Sequence, residues 1–105
     1  MNTASRTAII ALLSISTTPL AFADGANLYV EKTCVACHGT NGTNPAMNAY
    51  PKIGGQSEAY LLTQMKDIKS GTRNNSHSIA MKNIMDSVSD EDMTTIASWL
   101  SKQNQ

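Results

Sequence analysis

The sequence predicts an all-α domain, and three observations carry that prediction. Apolar residues recur at helical spacing, at Leu61, Met65 and Ile68 and again at Met93, Ile96, Ala97 and Leu100, which is the pattern of one buried helix face. No segment alternates apolar and polar residues as a half-buried strand would. Between the periodic stretches lie Gly39-Thr-Asn-Gly-Thr-Asn-Pro45 and Tyr50-Pro-Lys-Ile-Gly-Gly-Gln56, runs of turn formers that cannot sustain a helix. At 105 residues the chain has room for one domain. Eight Lys and Arg balance eight Asp and Glu, which removes the basic stripe a nucleic-acid binder needs.

The first element is an address. Residues Met1 to Arg6 are polar with one positive side chain, Thr7 to Leu20 form an apolar run rich in Ser and Thr, and Ala21-Phe22-Ala23 closes it. A basic start, a short apolar centre and a small-x-small end make a secretory signal peptide. The competing reading is a membrane anchor. The run is short for the about 30 Å of hydrocarbon it would have to span, and Pro19 would break a helix there. Residues 1–23 are therefore expected to be a signal peptide cleaved near Ala23, and residues 24–105 an exported, periplasmic domain with no transmembrane segment.

Removing that leader leaves 82 residues, 30 of them apolar, with Tyr29, Tyr50, Tyr60 and Trp99 as the large aromatics. A domain of this size buries only about 60% of its unfolded surface and usually needs a staple. Its own apolar supply is meagre, so something else should fill the middle.

Cys34-Val35-Ala36-Cys37-His38 names the filler. Residues three apart share one face of a helical turn, so both thiols can add to the two vinyl groups along one porphyrin edge. The imidazole beside the second thiol then projects its ring beneath the iron as proximal ligand. This is the attachment signature of c-type haem, and one motif means one haem. A thioredoxin-type dithiol would want a βαβ context, whereas the flanks read helical. A zinc site would need a second Cys pair or paired His. A structural disulfide over so short a loop would stabilise little.

The helices follow in order. Leu28, Tyr29 and Val30 suggest a first helix from about Gly25 to the haem motif. Ser57 is a good N-cap and Gly71 a plausible stop, which predicts a helix over 58–70. Residues 72–78 read as polar loop, and Ile79, Met81, Ile84, Met85 and Val88 as a helical turn or two. Ser89 caps the last helix, with Asp90, Glu91 and Asp92 where they suit the helix dipole and Trp99 beside the buried stripe.

The second iron ligand has six candidates: Met47, Met65, His77, Met81, Met85 and Met93. Met47 lies nine residues after His38, too close to cross comfortably to the other haem face. Met65 and Met93 sit on buried stripes, where a thioether is ordinary core packing. His77 reads as a solvated loop residue. Met81 and Met85, 43 and 47 residues beyond His38, lie far enough along the chain to wrap a disc; four apart, one can be ligand and the other packing.

The layout of Gly25 and Tyr29, Cys34 to Gly39, Tyr50-Pro51-Lys-Ile-Gly-Gly-Gln56, Tyr60-Leu61, Gly71-Thr-Arg73-Asn74, and Met81 before Ser89-Asp-Glu-Asp-Met resembles class I cytochromes c. It looks most like one haem domain of the bacterial di-haem cytochromes c and their single-domain relatives, over essentially all of residues 24–102. The resemblance implies three to four main helices wrapped around one covalently bound haem c, with terminal helices crossing near Gly25, Tyr29 and Trp99. It implies Cys34 and Cys37 as tethers, His38 as proximal iron ligand, and the Pro51 carbonyl as acceptor of the His38 Nδ1–H. Aligned back from Ser89, the axial methionine falls on Met81, with Met85 the alternative.

A His/Met-ligated haem has no open coordination site, so the chain is expected to carry electrons between respiratory redox partners and not to be an enzyme. Donors and acceptors would dock transiently on a monomer. Arg73 is a candidate propionate contact, and Lys52, Lys66, Lys69, Arg73 and Lys82 either ring the haem edge or are scattered solvated charges. The alternatives are a ligand-binding or sensing haem protein, in which Met81 gives way, and a haem subunit of a larger oxidoreductase complex.

Overall fold

The computed structural model describes residues 2–15 and 21–104. Five α-helices follow one another: α1 (Ala21–Glu31), α2 (Cys34–His38), α3 (Glu58–Ser70), α4 (Ser78–Met85) and α5 (Asp90–Ser101), with one 3₁₀ turn at Thr40–Gly42. No strand occurs among the described residues. Residues 2–15 have no regular secondary structure, and Ile9, Ile10, Leu12, Leu13 and Ile15 are exposed there. Pro19 lies outside the described residues, and α1 runs through the expected cleavage point at Ala23. No helix among the described residues is long and apolar enough to cross a membrane.

The caps act where the sequence puts them. Ser57 Oγ accepts the Tyr60 N–H at the start of α3, and Gly71 closes its end by donating its N–H to the Ile68 carbonyl. Ser89 Oγ accepts the Asp92 N–H at the start of α5, whose first turn carries Asp90, Glu91 and Asp92. Each such cap satisfies a backbone group that the helix end leaves unpaired. The α4 segment is an eight-residue helix of about two turns, as its apolar spacing suggests.

The first helix departs from expectation at both ends. It begins four residues before Gly25 and stops at Glu31, so that it does not run into the haem motif. The break is Thr33, which takes a left-handed conformation (φ 64°), unusual for a β-branched residue. The Lys32 N–H still bonds the Leu28 carbonyl and the Thr33 N–H the Val30 carbonyl, after which the Thr33 carbonyl accepts the Ala36 N–H and starts α2 in a new direction.

The core is Tyr29 from α1, Leu61, Met65 and Ile68 from α3, Met85 and Val88 at and beyond the end of α4, and Met93, Ile96, Ala97, Trp99 and Leu100 from α5. Helices α1 and α5 form the most extensive pair. They cross where Gly25 faces Trp99: a Cβ on Gly25 would lie 2.3 Å from Trp99 Cβ and 3.0 Å from the Thr95 carbonyl. The Tyr29 and Trp99 rings pack nearby, 5.1 Å apart and tilted by 45°. Buried Tyr29 then donates its O–H to the Gly39 carbonyl at 2.6 Å, joining the helix crossing to the residue that follows His38.

Two predictions follow from this crossing. Gly25→Ala should destabilise the protein by about 1–3 kcal/mol through overpacking, seen as a lower thermal midpoint; an unchanged midpoint would show that the helices part without cost. Burial also holds the Tyr29 phenol protonated well above its ordinary value of 10.0. The unfolded chain releases that proton near its ordinary pKa and the folded chain does not, so stability falls as pH rises above about 10. Tyr29→Phe should cost about 0.5–1.5 kcal/mol at neutral pH by removing one of the two bonds to the Gly39 carbonyl, which keeps the Gly42 N–H, and should flatten that alkaline decline. Urea unfolding of both proteins at neutral and alkaline pH reads the two effects, and parallel pH profiles would refute the second.

Candidate functional site

Helix α2 is short because its purpose is to present three side chains. Cys34 is partly buried, Cys37 exposed and His38 buried, and all three line one cavity of about 380 Å³. Burial pushes the Cys34 thiol up to about 11. The His38 imidazole is held below its ordinary value, because burial disfavours the cation more than the bond to Pro51 favours it. It is therefore a neutral ring. Its Nδ1–H donates to the Pro51 carbonyl at 2.9 Å, which fixes the tautomer and leaves Nε2 as a lone-pair donor.

Beyond the bond from His38, the loop carrying Pro51 is anchored by backbone bonds. The Ala46 N–H donates to the Cys37 carbonyl at 2.9 Å, the Gly42 carbonyl accepts the Ile53 and Gly54 N–H groups at 2.9 and 3.0 Å, and the Gly55 N–H donates to Leu100 in α5 at 2.9 Å. Gly39 makes the turn out of α2 at φ 76°, and a Cβ there would sit 1.9 Å from the Asn44 carbonyl oxygen. Only glycine meets both conditions.

The remaining walls are mostly apolar: Leu61, Met65 and Ile68 of α3, Ala80, Met81, Ile84 and Met85 of α4, Val88, and Ile96 and Leu100 of α5. Met65 is thus both core and cavity wall. Met85 is only 2% exposed, enclosed by protein, whereas Met81 is half-buried and packs on the core from the cavity side. Met93 is wholly buried in the core and Met47 is exposed, and neither lines the cavity. His77 does line it; exposed, it sets its ring edge-on to Tyr50 with centroids 5.3 Å apart.

Of the five basic residues singled out in the sequence, Lys52 and Arg73 line the cavity and the other three do not. Lys82 pairs with Asp86 at 3.0 Å, Lys69 donates to the Val88 carbonyl, and Lys66 is exposed on α3. Of the two readings of these five charges, the structure brings Lys52 and Arg73 to the cavity and scatters the other three. Arg73 Nη1 donates at 3.0 Å to Gln64 Oε1, and Gln64 also lines the cavity. Gln64 is a site residue that sequence reasoning missed; its place one turn before Ile68, on the α3 face toward the cavity, was the available signal.

These residues suit a flat, largely apolar prosthetic group bearing carboxylates. Two thiols stand at one edge with a neutral imidazole beside them, a thioether lies on the α4 wall, and a guanidinium lies among the lining residues. Among the described residues no three His, Cys, Asp or Glu side chains gather as a metal-ion cluster.

The comparisons with known proteins agree with this geometry. The family model for cytochrome c matches residues 22–104. Cytochrome c4 of Pseudomonas aeruginosa is 41% identical over 95 residues, covering 88% of this chain and 45% of that protein. Cytochrome c-553 of Nitratidesulfovibrio vulgaris is 34% identical over 94 residues and 90% of each chain. The crystal structure of reduced recombinant cytochrome c4 from Pseudomonas stutzeri matches with a TM-score of 0.69 at 25% identity, over 83% of this chain and 50% of that one. The chain thus spans somewhat less than half the length of the cytochrome c4 relative. With the class I helical architecture, the attachment motif and these relatives in agreement, the chain belongs to the cytochrome c family and binds haem c, with its iron, covalently.

Proposed function

We propose that this chain is an exported, single-haem electron carrier working between redox proteins of a periplasmic respiratory chain. The observation that carries the reading is the mostly apolar cavity, open on one side to solvent, with a neutral His38 locked by Pro51 on one wall and α4 with its two methionines on another. Bound haem supplies a one-electron ferric–ferrous couple.

The protein side of the chemistry is holding that couple still. Cys34 and Cys37 tether the group as thioethers, so that a small shell cannot lose it by dilution. His38 ligates iron through Nε2 while Pro51 keeps the ring from rotating. Met81 would hold the iron from the α4 side: both methionines line the cavity, but Met85 is almost fully buried in the core while Met81 is half-buried. Arg73, held by Gln64, meets a propionate carboxylate, a charge-assisted bond of the stronger kind. Held by His38 and Met81, the iron would have no coordination site left for a substrate, so the chain would pass electrons and turn nothing over. Partners approach through a small transient interface as a rigid surface, because the ligand shell changes little between oxidation states.

The ligand assignment is tested by spectroscopy of the ferric protein. Met81→Ala should abolish the long-wavelength methionine–iron band and open the ferrous form to carbon monoxide, while Met85→Ala should keep the band and lose about 2–5 kcal/mol of stability through the cavity it leaves. The reverse pattern would transfer the role to Met85, and carbon monoxide binding by the unaltered protein at neutral pH would favour a sensor over a carrier. Export has a separate test: the mass of the periplasmic protein should place its first residue within about two residues of Asp24, and a chain retaining residues 1–15 would overturn cleavage.

A further inference from the structure

Helix α4 is held differently at its two ends. Its N-cap residue His77 makes no side-chain cap and follows Ser76, which sits at φ 51°. At its C-terminal end the chain turns tightly through Asp86, Ser87 and Val88, with the Ser87 N–H bonded to Ile84 at 3.2 Å and the Val88 N–H to Met85 at 3.0 Å. Two lysines from separate parts of the chain reach this turn. Lys32 Nζ donates to the Ser87 carbonyl at 3.1 Å from 55 residues away, and also lies 3.8 Å from Asp92. Lys69 Nζ, from the last turn of α3, donates to the very next carbonyl, that of Val88.

The Ser87 and Val88 carbonyls lie in the short turn between α4 and α5, outside both helices, and the two lysines reach them as side-chain donors. Bonds to a charged donor are also the stronger ones. Lys32 stands two residues before Cys34, and Lys69 one turn beyond the cavity-lining Met65. Neither lysine lines the cavity. Together they join the haem-attachment segment and α3 to the turn on which α4 depends.

We propose that Lys32 and Lys69 are positioning residues for the distal methionine, clamping the α4–α5 turn so that Met81 stays at the iron and external ligands are kept out. The proposal rests on Met81 as the second ligand. Displacing Met81 would shift the α4 segment that leads into this turn and so strain the bonds from Lys32 and Lys69 to the Ser87 and Val88 carbonyls. The clamp therefore sets how readily Met81 yields.

The test uses the full-length, haem-loaded protein with imidazole as the probe, titrated into the ferric form and followed by loss of the methionine–iron band. Lys69→Met and Lys32→Met keep the aliphatic stem and remove the ammonium. Each should raise imidazole affinity roughly tenfold, the effect of one charged hydrogen bond lost from the closed form. Lys69→Arg should restore most of the difference, and Lys66→Met, an exposed α3 lysine away from the turn, should bind imidazole as the parent does. Should Lys69→Met fail to accumulate as holoprotein, Lys32→Met carries the same test through the adjacent carbonyl. Imidazole affinities within about twofold of the parent, alongside a lowered thermal midpoint, would overturn the proposal and leave the lysines as general stabilisers. A parent protein lacking the methionine–iron band would instead overturn the Met81 assignment, and the clamp with it.

Discussion

The hydrogen bond from His38 Nδ1 to the Pro51 carbonyl ties together the two segments with the least regular structure to hold them. Helix α2 is a five-residue turn that cannot be stable alone, and Pro51 lies in a loop between the 3₁₀ turn and α3. What makes the bond dependable is the set of main-chain bonds behind it, from Ala46 to Cys37, from Ile53 and Gly54 to Gly42, and from Gly55 to Leu100 in α5. The proximal side of the cavity is thereby fastened to the helix that also crosses α1. Tyr29, buried at that crossing, adds its bond to Gly39. The imidazole is placed by a backbone lattice that no single side chain controls.

That lattice explains why the apolar supply of the chain is adequate after all. The core side chains come chiefly from α3 and α5, with α1 and the end of α4 closing around them, and they leave a cavity with apolar walls. A core of this kind is incomplete without its prosthetic group. Covalent attachment then makes the group a permanent part of the packing. Met65 shows the economy of the arrangement, serving the core on one side and the cavity on another.

How much of this could be read in the sequence depended on whether the controlling interaction was local. The ends of α3 were legible because Ser57 and Gly71 act within one turn of themselves, and the same holds for Ser89 and α5. The haem motif was legible because its chemistry needs a fixed order of residues. Thr33 was not: its left-handed conformation opposes its own propensity and is imposed by the packing of α1 against α5 and α2 against the loop. The lysines were not either. Lys32 finds its acceptor 55 residues away, and no local pattern distinguishes it from Lys66. Gln64 lay on a predicted helix face, but its use as the partner of Arg73 requires knowing how the 72–77 loop returns to α3.

The two sides of the cavity are built on different principles, and the difference bears on function. The His38 side is held by main-chain bonds and by glycines whose neighbours leave no room for rearrangement. The α4 side hangs from its C-terminal turn, with an uncapped N-terminus and a residue at positive φ just before it. The α4 side thus depends on side-chain contacts from Lys32 and Lys69 to its C-terminal turn, where the His38 side depends on main-chain bonds. An electron carrier needs that side closed in both oxidation states; a sensor needs it to open. The same helical frame serves either use, and under the proposed clamp the polar contacts that hold one short helix against the cavity would decide between them.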